Sequence, residues 1–354
     1  MIISRTPFRI SFFGGGTDYP EWYKNEGGEV LATTIDKYCY LTCRYLPPFF
    51  QHRIRVVYSN IEMCQKIDEI KHPAVREVLR FMDVDRGLEV HHDGDLPARS
   101  GMGTSSSFTV GLLNAMYALK GQMPTKQQLA DQSIIIEHDL MKETVGCQDQ
   151  ISVAYGGFNH VIFPTDGGYS VRPITLPGER VTELNDHLIL LYTGISRSSS
   201  EIAGTYVSDI DIKEAQLRLI KAMVGEGINI LNSNRDIRAF GELLDQAWQL
   251  KRDMSPMISN QTVDNIYNRA RKLGAIGGKL LGAGGGGFML LFAAPSHHQR
   301  IKDDLKGFIH VPFRFESQGS QIIFHDYERD YSEEDKLRDD QPIVEFREMA
   351  SNGT

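Results

Sequence analysis

The sequence predicts an α+β protein of two domains, and three observations carry this prediction. Its 354 residues exceed twice the usual length of a domain, which is about 150 residues. Hydrophobic residues make up 41% of the chain and charged residues 24%, as in ordinary globular proteins with an apolar core. Strand-like and helical segments follow one another in an irregular order rather than in regular alternation. We expect a first domain over residues 1–185 and a second over residues 186–354.

The N-terminal part of the chain is rich in strand-forming residues. Residues 2–13 have the composition of a strand, with Pro7 as an interruption, and they lead into the turn cluster of residues 14–20. Residues 30–45 are rich in Thr, Ile, Tyr and Val, which favours further strands. Residues 54–58 are predicted to form another short strand.

Two helices are predicted downstream of the loop at residues 96–105. Apolar residues recur at helical spacing from Phe108 to Leu119, which indicates a helix. Thr125 and Gln128 have the spacing of a capping box, so the second helix should begin there. We expect these two helices to pack against each other.

The second half of the chain is predominantly helical. Residues 158–163 and 188–192 still have the pattern of strands. Three stripes of apolar residues then predict three helices, at residues 217–231, 237–247 and 263–273. A strand at residues 288–292 should follow a run of glycines, and the charged residues 328–340 are typical of an exposed helix or a solvated tail.

Charge and cysteine content exclude several classes of function. The net charge of −8 argues against a protein that binds duplex nucleic acid, because such affinity comes from neutralised phosphates. The four cysteines form no CxxC pair and have no histidine at zinc-finger spacing, so we interpret them as reduced, mostly buried thiols. The sequence shows no signal-peptide pattern, and its apolar runs are shorter than the ~18 residues of a membrane helix. We therefore expect a cytoplasmic protein that acts on a small molecule.

The best candidate for a phosphate site is the segment of residues 96–107, which we call the phosphate loop. Gly101 and Gly103 allow backbone N–H groups to approach an anion, and the predicted helix adds a favourable dipole. Thr104, Ser105 and Ser106 supply hydroxyls, one of which can also bind a magnesium ion. The alternative is a structural helix cap rich in Ser and Thr.

Two further glycine-rich segments are candidates for ligand contacts. The glycine-rich loop of residues 282–287 satisfies GxGxxG, but we expect a helix before it and a strand after it, the reverse of a dinucleotide-binding fold. A close backbone approach to a ligand or another loop is one interpretation, and a structural turn is the other. Residues 14–18, with three glycines before Thr17 and Asp18, are typical of a substrate loop at a strand end. The chain has no GxxxxGK[ST] motif and no protein-kinase motif.

Two acids are candidates for chemistry, each with a simpler alternative. Glu137 lies at the edge of the apolar face of the second helix, where it could bind magnesium or remain a solvated helix acid. Asp149 precedes a short apolar segment and could cap a helix or accept a proton from a substrate hydroxyl. The adjacent pairs at residues 91–92 and 297–298 are histidines that we interpret as surface or loop residues.

Taken together, three segments resemble the three ordered motifs of the GHMP kinases, a superfamily that includes galactokinase, homoserine kinase and mevalonate kinase. They read RTPFRISFFGGGTDY at residues 5–19, PARSGMGTSSS at residues 97–107 and KLLGAGGGG at residues 279–287. The resemblance implies an ATP-dependent kinase that transfers phosphate to an alcohol group. It also implies an N-terminal domain like domain 2 of ribosomal protein S5, a ferredoxin-like C-terminal domain, and ATP in the cleft between them.

The resemblance assigns roles residue by residue. It implies that Asp149 is the catalytic base beside the basic residue Arg9, and that Mg²⁺ is bound by Ser105 and Glu137. The implied phosphate contacts are Gly101, Gly103, Thr104, Ser105 and Ser106. The implied substrate contacts are Asp18, Gly16, Gly284 and Gly285.

The form of the first motif narrows the expected substrate. FFGGGTDYP at residues 12–20 is most similar to the heptose 7-phosphate kinases of this superfamily, with fucokinase-type enzymes next, whereas galactokinases carry Glu-His in place of Gly15-Gly16. We expect phosphorylation of the anomeric hydroxyl of D-glycero-α-D-manno-heptose 7-phosphate, towards nucleotide-activated heptose for surface glycans. The alternatives are another sugar 1-kinase, like fucokinase or galactokinase, and a non-catalytic sensor of ATP and sugar. Arg197 is the first candidate to bind a substrate phosphate, followed by Arg44 and Arg99.

Overall fold

The computed structural model describes residues 1–195, 213–327 and 329–339, in which two β-sheets are covered by helices. The strands are β1 (Ile2–Phe13), β2 (Gly28–Tyr45), β3 (Ile54–Val57), β4 (Ile61–Cys64), β5 (Leu88–Gly94), β6 (Phe158–Phe163), β7 (Ser170–Pro173), β8 (Leu188–Tyr192), β9 (Ala275–Leu280), β10 (Phe288–Ala293), β11 (Ile309–Val311), β12 (Phe315–Glu316) and β13 (Gln321–His325). The helices are α1 (Pro20–Glu26), α2 (Pro73–Phe81), α3 (Thr104–Leu119), α4 (Lys126–Ile135), α5 (Gln148–Tyr155), α6 (Gly178–Asp186), α7 (Glu214–Asn232), α8 (Arg238–Arg252), α9 (Gln261–Lys272), α10 (Pro295–Asp304) and α11 (Ser332–Asp339).

The larger sheet has nine strands and is built around β1 and β2. Its main order is β13-β1-β2-β5-β3-β4; β6 and β12 also pair with β2, and β7 pairs with β6. Pro7, the predicted interruption of this strand, lies at a shift in register between Pro7 and Phe8, where a β-bulge tolerates the missing N–H. Residues 30–45 belong to one strand of 18 residues, β2, which pairs with β1 along one edge and with β6, β12 and β5 in turn along the other.

The smaller sheet has four antiparallel strands in the order β11-β8-β10-β9. Strands β9 and β10 pair directly, from Met289 opposite Leu280 to Ala293 opposite Ala275, so the glycine-rich loop joins a hairpin. The expectation that a helix immediately precedes this loop is wrong, because β9 lies between α9 and the glycines. The buried side chains of β10 alternate between the two faces of this sheet, which places the strand in the centre of the core.

The predicted helices are confirmed where apolar spacing is regular. α3 covers the stripe from Phe108 to Leu119, and α4 begins with the capping box of Thr125 and Gln128. The three later stripes form α7, α8 and α9. All four cysteines are unpaired and buried, in agreement with the sequence interpretation.

The end of the described chain returns to the larger sheet. β12 pairs with β2, and β13 pairs with β1, from Ile2 opposite His325 to Arg5 opposite Gln321. The predicted division of the chain at residues 185/186 stays a prediction. β12 and β13 follow this position in the sequence but pair with strands that precede it, so the larger sheet contains residues from both sides of the division. Within the described ranges, every helix is too short or too polar to span a lipid bilayer.

Candidate active site

A cavity of about 820 Å³ brings the predicted motifs together. Its walls come from the end of β1, the loop of residues 14–20, the phosphate loop, the segment around Glu137, the start of α5 and the end of α8. Of the predicted site residues within the described chain, the following line it: Arg9, Gly16, Asp18, Gly101, Gly103, Thr104, Ser105, Ser106, Glu137 and Asp149. The cavity therefore contains both a site suited to phosphate and a pair of opposite charges.

The charged pair at the centre of the cavity is Arg9 with Asp149. Arg9 donates from Nε and Nη2 to the two oxygens of Asp149, both at 2.6 Å, and from Nη1 to the carbonyl of Gly101 at 2.6 Å. The Arg9 side chain is 4% exposed and that of Asp149 is 26% exposed. Such a bidentate contact fixes both groups, so the carboxylate is presented to the cavity in one orientation.

Asp149 reaches this position because α5 begins beside β1. Asp149 lies in the first turn of α5, as the sequence predicts, and its two oxygens accept from Arg9. Arg9 is in the middle of β1, where its backbone N–H donates to the carbonyl of Met102 at 3.0 Å. Strand, phosphate loop and helix are thus joined by contacts of a single arginine.

The phosphate loop ends at the N-terminus of α3, as predicted. Gly103 is the N-terminal cap of α3, with φ of 72° in the left-handed region. As a glycine it has no side chain to form a capping hydrogen bond. Thr104 and Ser105 follow in the first turn, and Ser105 is exposed to the cavity side. The open N–H groups of this turn and the helix dipole suit a phosphate group.

The phosphate loop is supported by the glycine-rich loop. A Cβ on Gly282, whose φ is +72°, would lie 2.5 Å from the Cα of Gly101, and a Cβ on Gly101 would lie 2.4 Å from the carbonyl oxygen of Leu281. The N–H of Phe288 also donates to the carbonyl of Ser100 at 3.2 Å. Glycine is required at both contact points because any side chain would separate the two loops.

Gly282→Ala should therefore lower stability by about 1–3 kcal/mol and weaken binding of ATP, because the methyl group forces the two loops apart. Thermal unfolding and equilibrium binding of ATP measure the two effects. Gly307→Ala is the matched control, since no atom lies within 4 Å of the new Cβ. Unchanged binding of ATP by Gly282→Ala would contradict a supporting role for this loop.

Gly284 and Gly285 occupy a different environment from the one expected. A Cβ on Gly284 would meet the backbone of Ile258 at 2.8 Å, and Gly285 donates to the carbonyl of Ile258 at 2.8 Å. Asn260 donates to the carbonyl of Gly285 at 3.0 Å. Among the described residues of this loop, Gly282 and Ala283 line the cavity and these two glycines do not. Their close contacts are with the segment before α9, so the structure gives no support to a substrate contact.

Glu137 lies in a π-helical turn, Ile136–Leu140, that continues α4. It is 0% exposed, and Ser106 donates to its Oε2 at 3.0 Å. Burial raises the pKa of Glu137 to about 8. Its Oε1 has no hydrogen-bond partner in the part of the chain that the structure describes. Widened turns of this kind often occur at functional sites, and the orphaned oxygen fits a cation ligand.

The loop of residues 14–20 is tied to α5 through Asp18. Asp18 is 0% exposed, and its Oδ1 accepts from the N–H of Gly16 and from Nε2 of Gln148, both at 3.0 Å. Its Oδ2 accepts from the N–H of Gln148 at 3.1 Å. Burial raises the pKa of Asp18, although these backbone donors act in the opposite direction. This carboxylate accepts hydrogen bonds from Gly16 and Gln148 of the protein. The predicted contact with a sugar hydroxyl stays a prediction.

Two family models match the chain on either side of this cavity. They are the GHMP kinases N terminal domain, over residues 69–157, and the GHMP kinases C terminal, over residues 227–309. The chain belongs to the GHMP kinases. Together with the named kinase relatives, these matches indicate a sugar kinase that transfers phosphate, and kinases of this family use ATP.

Individual relatives of this GHMP kinase are sugar kinases. A D-glycero-alpha-D-manno-heptose 7-phosphate kinase of Campylobacter jejuni is 28% identical over 306 residues, which are 83% of this chain and 90% of that protein. A galactokinase of Pyrococcus furiosus is 25% identical over 344 residues, covering 85% of this chain and 92% of that protein. The crystal structure of a D-glycero-D-manno-heptose 1-phosphate kinase from Bacteroides thetaiotaomicron has a TM-score of 0.75 at 21% identity, over 93% of this chain and 100% of that one. That structure establishes the shared fold.

Sequence reasoning missed two lysines in the active site of this GHMP kinase. Lys251, near the end of α8, donates to the carbonyl of Gly282, and burial and the charge of Arg9 lower its pKa to about 8. Lys279, in β9, donates to the carbonyls of Ser11 and Phe12 at 3.0 and 2.9 Å, and burial holds its pKa well below the usual range. Lysine on an amphipathic helix is ordinarily solvated, so the composition around Lys251 offered no signal.

The sequence also gave no indication of an aromatic wall in the cavity, formed by His72, His92 and Phe108. His72 stacks on Phe108 with ring centroids 4.6 Å apart, and His92 meets the same ring edge-on at 5.1 Å. Burial lowers the pKa of His72 to about 4, so this ring is neutral. The interpretation of His92 as a surface residue is wrong, because it is half-buried beside Phe108 and lines the cavity.

Three arginines are candidates to bind a phosphate group of the substrate, and the structure places two of them relative to the cavity. Arg197 lies outside the described residues. Arg44 is wrong as a candidate, because it is on β2 outside the cavity and pairs with Glu89 at 2.6 Å. Arg99 lines the cavity within the phosphate loop, with φ of 57°, and is exposed.

Proposed function

We propose that this GHMP kinase phosphorylates the anomeric hydroxyl of D-glycero-α-D-manno-heptose 7-phosphate and forms the 1,7-bisphosphate, towards nucleotide-activated heptose for surface glycans. Two findings support this substrate: the FFGGGTDYP form of the first motif and the name of the Campylobacter jejuni relative. Bifunctional fucokinases are 24% and 25% identical to this chain, which makes L-fucose the second candidate.

The observation that carries the kinase chemistry is the bidentate contact between Arg9 and Asp149. In the proposed reaction, Asp149 accepts the proton of the sugar hydroxyl while the hydroxyl oxygen bonds to the γ-phosphorus of ATP. The bond from that phosphorus to the bridging oxygen breaks, and ADP leaves. Arg9 keeps the carboxylate oriented and places positive charge beside the transferring group. Because Arg9 also holds the carbonyl of Gly101, the base and the phosphate loop keep a constant separation.

Glu137 fits a magnesium ion, because its Oε1 is buried without a hydrogen-bond partner among the described residues, while its Oε2 accepts from Ser106. The expected hydroxyl ligand is Ser105, whereas Ser106 and Gln150 are the side chains that donate to Oε2 of Glu137. We propose that Glu137 binds Mg²⁺ together with a serine of this helical turn. When bound, the ion supplies positive charge that neutralises the phosphate oxygens of ATP.

Lys251 gives the reaction an expected dependence on pH. Its pKa of about 8 means that the ammonium is charged at neutral pH and loses its proton as the pH rises further. We therefore expect kcat/KM to fall above pH 8, because the cavity loses a positive charge that faces anionic substrates. In Lys251→Arg the guanidinium stays charged, so the fall should move to higher pH. Identical profiles of kcat/KM against pH for the two proteins would contradict this role for Lys251.

The proposed substrate is tested by magnesium-dependent release of ADP with a panel of acceptors. The panel contains D-glycero-D-manno-heptose 7-phosphate, D-mannose, L-fucose, D-galactose, mevalonate and homoserine, with Asp149→Asn as the blank. Turnover confined to the heptose phosphate would support the proposal. Turnover of an unphosphorylated sugar alone would agree with the proposed kinase mechanism but would contradict a substrate that already carries a phosphate. Binding of ATP without turnover of any acceptor would favour a sensor.

A further inference from the structure

The contacts of Gln148 are unusual for a residue that lines the cavity. Its backbone N–H and its Nε2 both donate to Asp18, at 3.1 and 3.0 Å, so one carboxylate holds both ends of the residue. Its Oε1 is buried and has no hydrogen-bond partner among the described residues. An unpaired buried acceptor is unfavourable because it has lost its bonds to water, so a ligand that donates a hydrogen bond to it would bind more tightly.

The orientation of the Gln148 amide follows from chemistry. A carboxylate accepts hydrogen bonds, so the NH₂ group must face Asp18 and the carbonyl must face away from it. Asp18 cannot rotate to release the amide, because its Oδ1 also accepts from Gly16 at 3.0 Å. On the other side, a Cβ on Gly146 would lie 1.8 Å from its Oδ2. Asp18 is therefore a clamp that fixes the Gln148 amide with its carbonyl oxygen turned away from the carboxylate.

A second polar atom without a partner lies beside Gln148. The hydroxyl of Ser11 is buried and, among the described residues, has no hydrogen-bond partner. Both side chains approach Gly15: a Cβ there would lie 3.5 Å from Nε2 of Gln148 and 3.7 Å from Oγ of Ser11. Ser11, Gly15 and Gln148 all line the cavity, and Gln148 is adjacent in sequence to Asp149.

We propose that Oε1 of Gln148 accepts a hydrogen bond from a hydroxyl of the sugar other than the one that is phosphorylated, and that Asp18 is the positioning residue that orients it. This rests on the proposed function only in requiring a sugar as acceptor. A carbonyl oxygen at this position attracts hydroxyl groups and repels phosphate. The hydroxyl-bearing part of the substrate, not its phosphate, should therefore lie beside Gln148. The proposal makes Gln148 the residue that touches the sugar and places Asp18 behind it.

The test compares the acceptor sugar identified by the panel with its monodeoxy analogues, each lacking one hydroxyl. The wild-type enzyme should discriminate against one analogue by about 10–100-fold in kcat/KM, because that analogue leaves Oε1 of Gln148 unpaired. In Gln148→Met the ratio of kcat/KM between the parent sugar and this analogue should fall to about 1. The ratios for the other analogues should stay as in the wild type. A merely structural role would lower kcat/KM for all analogues by the same factor and would overturn the proposal.

Two further variants keep the test decisive. Asp18→Asn removes the constraint on the amide, so it should reduce the discrimination against the same analogue, and it serves if Gln148→Met does not fold. Gln132→Met is the matched control, because Gln132 accepts from Tyr117 on α3 and does not line the cavity. Its ratios of kcat/KM for the deoxy analogues should match those of the wild type.

The outcomes separate this inference from the proposed substrate. If L-fucose or another sugar replaces the heptose phosphate as acceptor and its deoxy series shows the same loss in Gln148→Met, the inference stands without the proposed substrate. If the heptose phosphate is the acceptor and every discrimination factor survives in Gln148→Met and Asp18→Asn, only the inference is overturned. Absence of turnover with any sugar would overturn both.

Discussion

Asp149→Asn is expected to lower kcat by about 10²–10⁴-fold, the usual contribution of a general base. Asparagine preserves the shape of the side chain, but its amide cannot take the proton of the attacking hydroxyl. It can also accept only one of the two hydrogen bonds that Arg9 now donates at 2.6 Å. Binding of ATP should persist, because Arg9 keeps its contact with the carbonyl of Gly101. Release of ADP at saturating sugar and equilibrium binding of ATP measure the two quantities.

The control for this prediction is Asp303→Asn on α10, where an exposed aspartate undergoes the same change. Its kcat should equal that of the wild type. Retention of more than about a tenth of the wild-type kcat by Asp149→Asn would contradict a role as general base. Loss of ATP binding would instead identify Asp149 as a residue that maintains the phosphate loop.

Glu137→Gln is expected to remove nearly all turnover, by about 10²-fold or more, because an amide is a poor ligand for the proposed magnesium ion. The same substitution should make the metal-free protein more stable at pH 8. Burial raises the pKa of Glu137 from its ordinary 4.5 to about 8, so between these values the folded state binds a proton that the unfolded state releases. Stability of the wild type therefore falls with rising pH across this interval, by at most about 1.4 kcal/mol per pH unit.

Glutamine does not ionise, so Glu137→Gln should lack this component of the pH dependence. Denaturant unfolding from acid to pH 8 in the presence of a chelator measures it, and added Mg²⁺ should stabilise the wild type but not the variant. Glu242→Gln, at an exposed position of α8, is the control. Equal turnover and equal magnesium dependence in Glu137→Gln and the wild type would remove Glu137 from the proposed metal site.

The parts of this molecule that the sequence predicts are those encoded locally. The capping box of Thr125 and Gln128, the apolar stripe of α3 and the glycines and hydroxyls of the phosphate loop each depend on residues within a few positions of one another. Their locations are confirmed. The family resemblance adds Arg9 and Asp149, which are 140 positions apart and yet share two hydrogen bonds.

The features that sequence reasoning misses depend on contacts between distant segments. The bulge at Pro7 requires the register of β1 against β2, and the buried state of Lys251 requires α8 to meet the glycine-rich loop. The expected helix before that loop is wrong because Ala275–Leu280 pairs with β10, and pairing of a short apolar segment is a tertiary property. The clamp between Asp18 and Gln148 has the same origin, since only the fold brings the two residues together.

The return of β13 to β1 has a consequence for the order in which the protein is completed during its synthesis. β1 leaves the ribosome before β13, its partner along the outer edge, which is made more than 300 residues later. Until then the N-terminal half carries an unpaired strand edge with the apolar Ile2 and Ile3, a surface prone to self-association. A fragment that stops at residue 185 would keep that edge permanently, so we expect it to aggregate unless a peptide carrying residues 321–325 is supplied in trans.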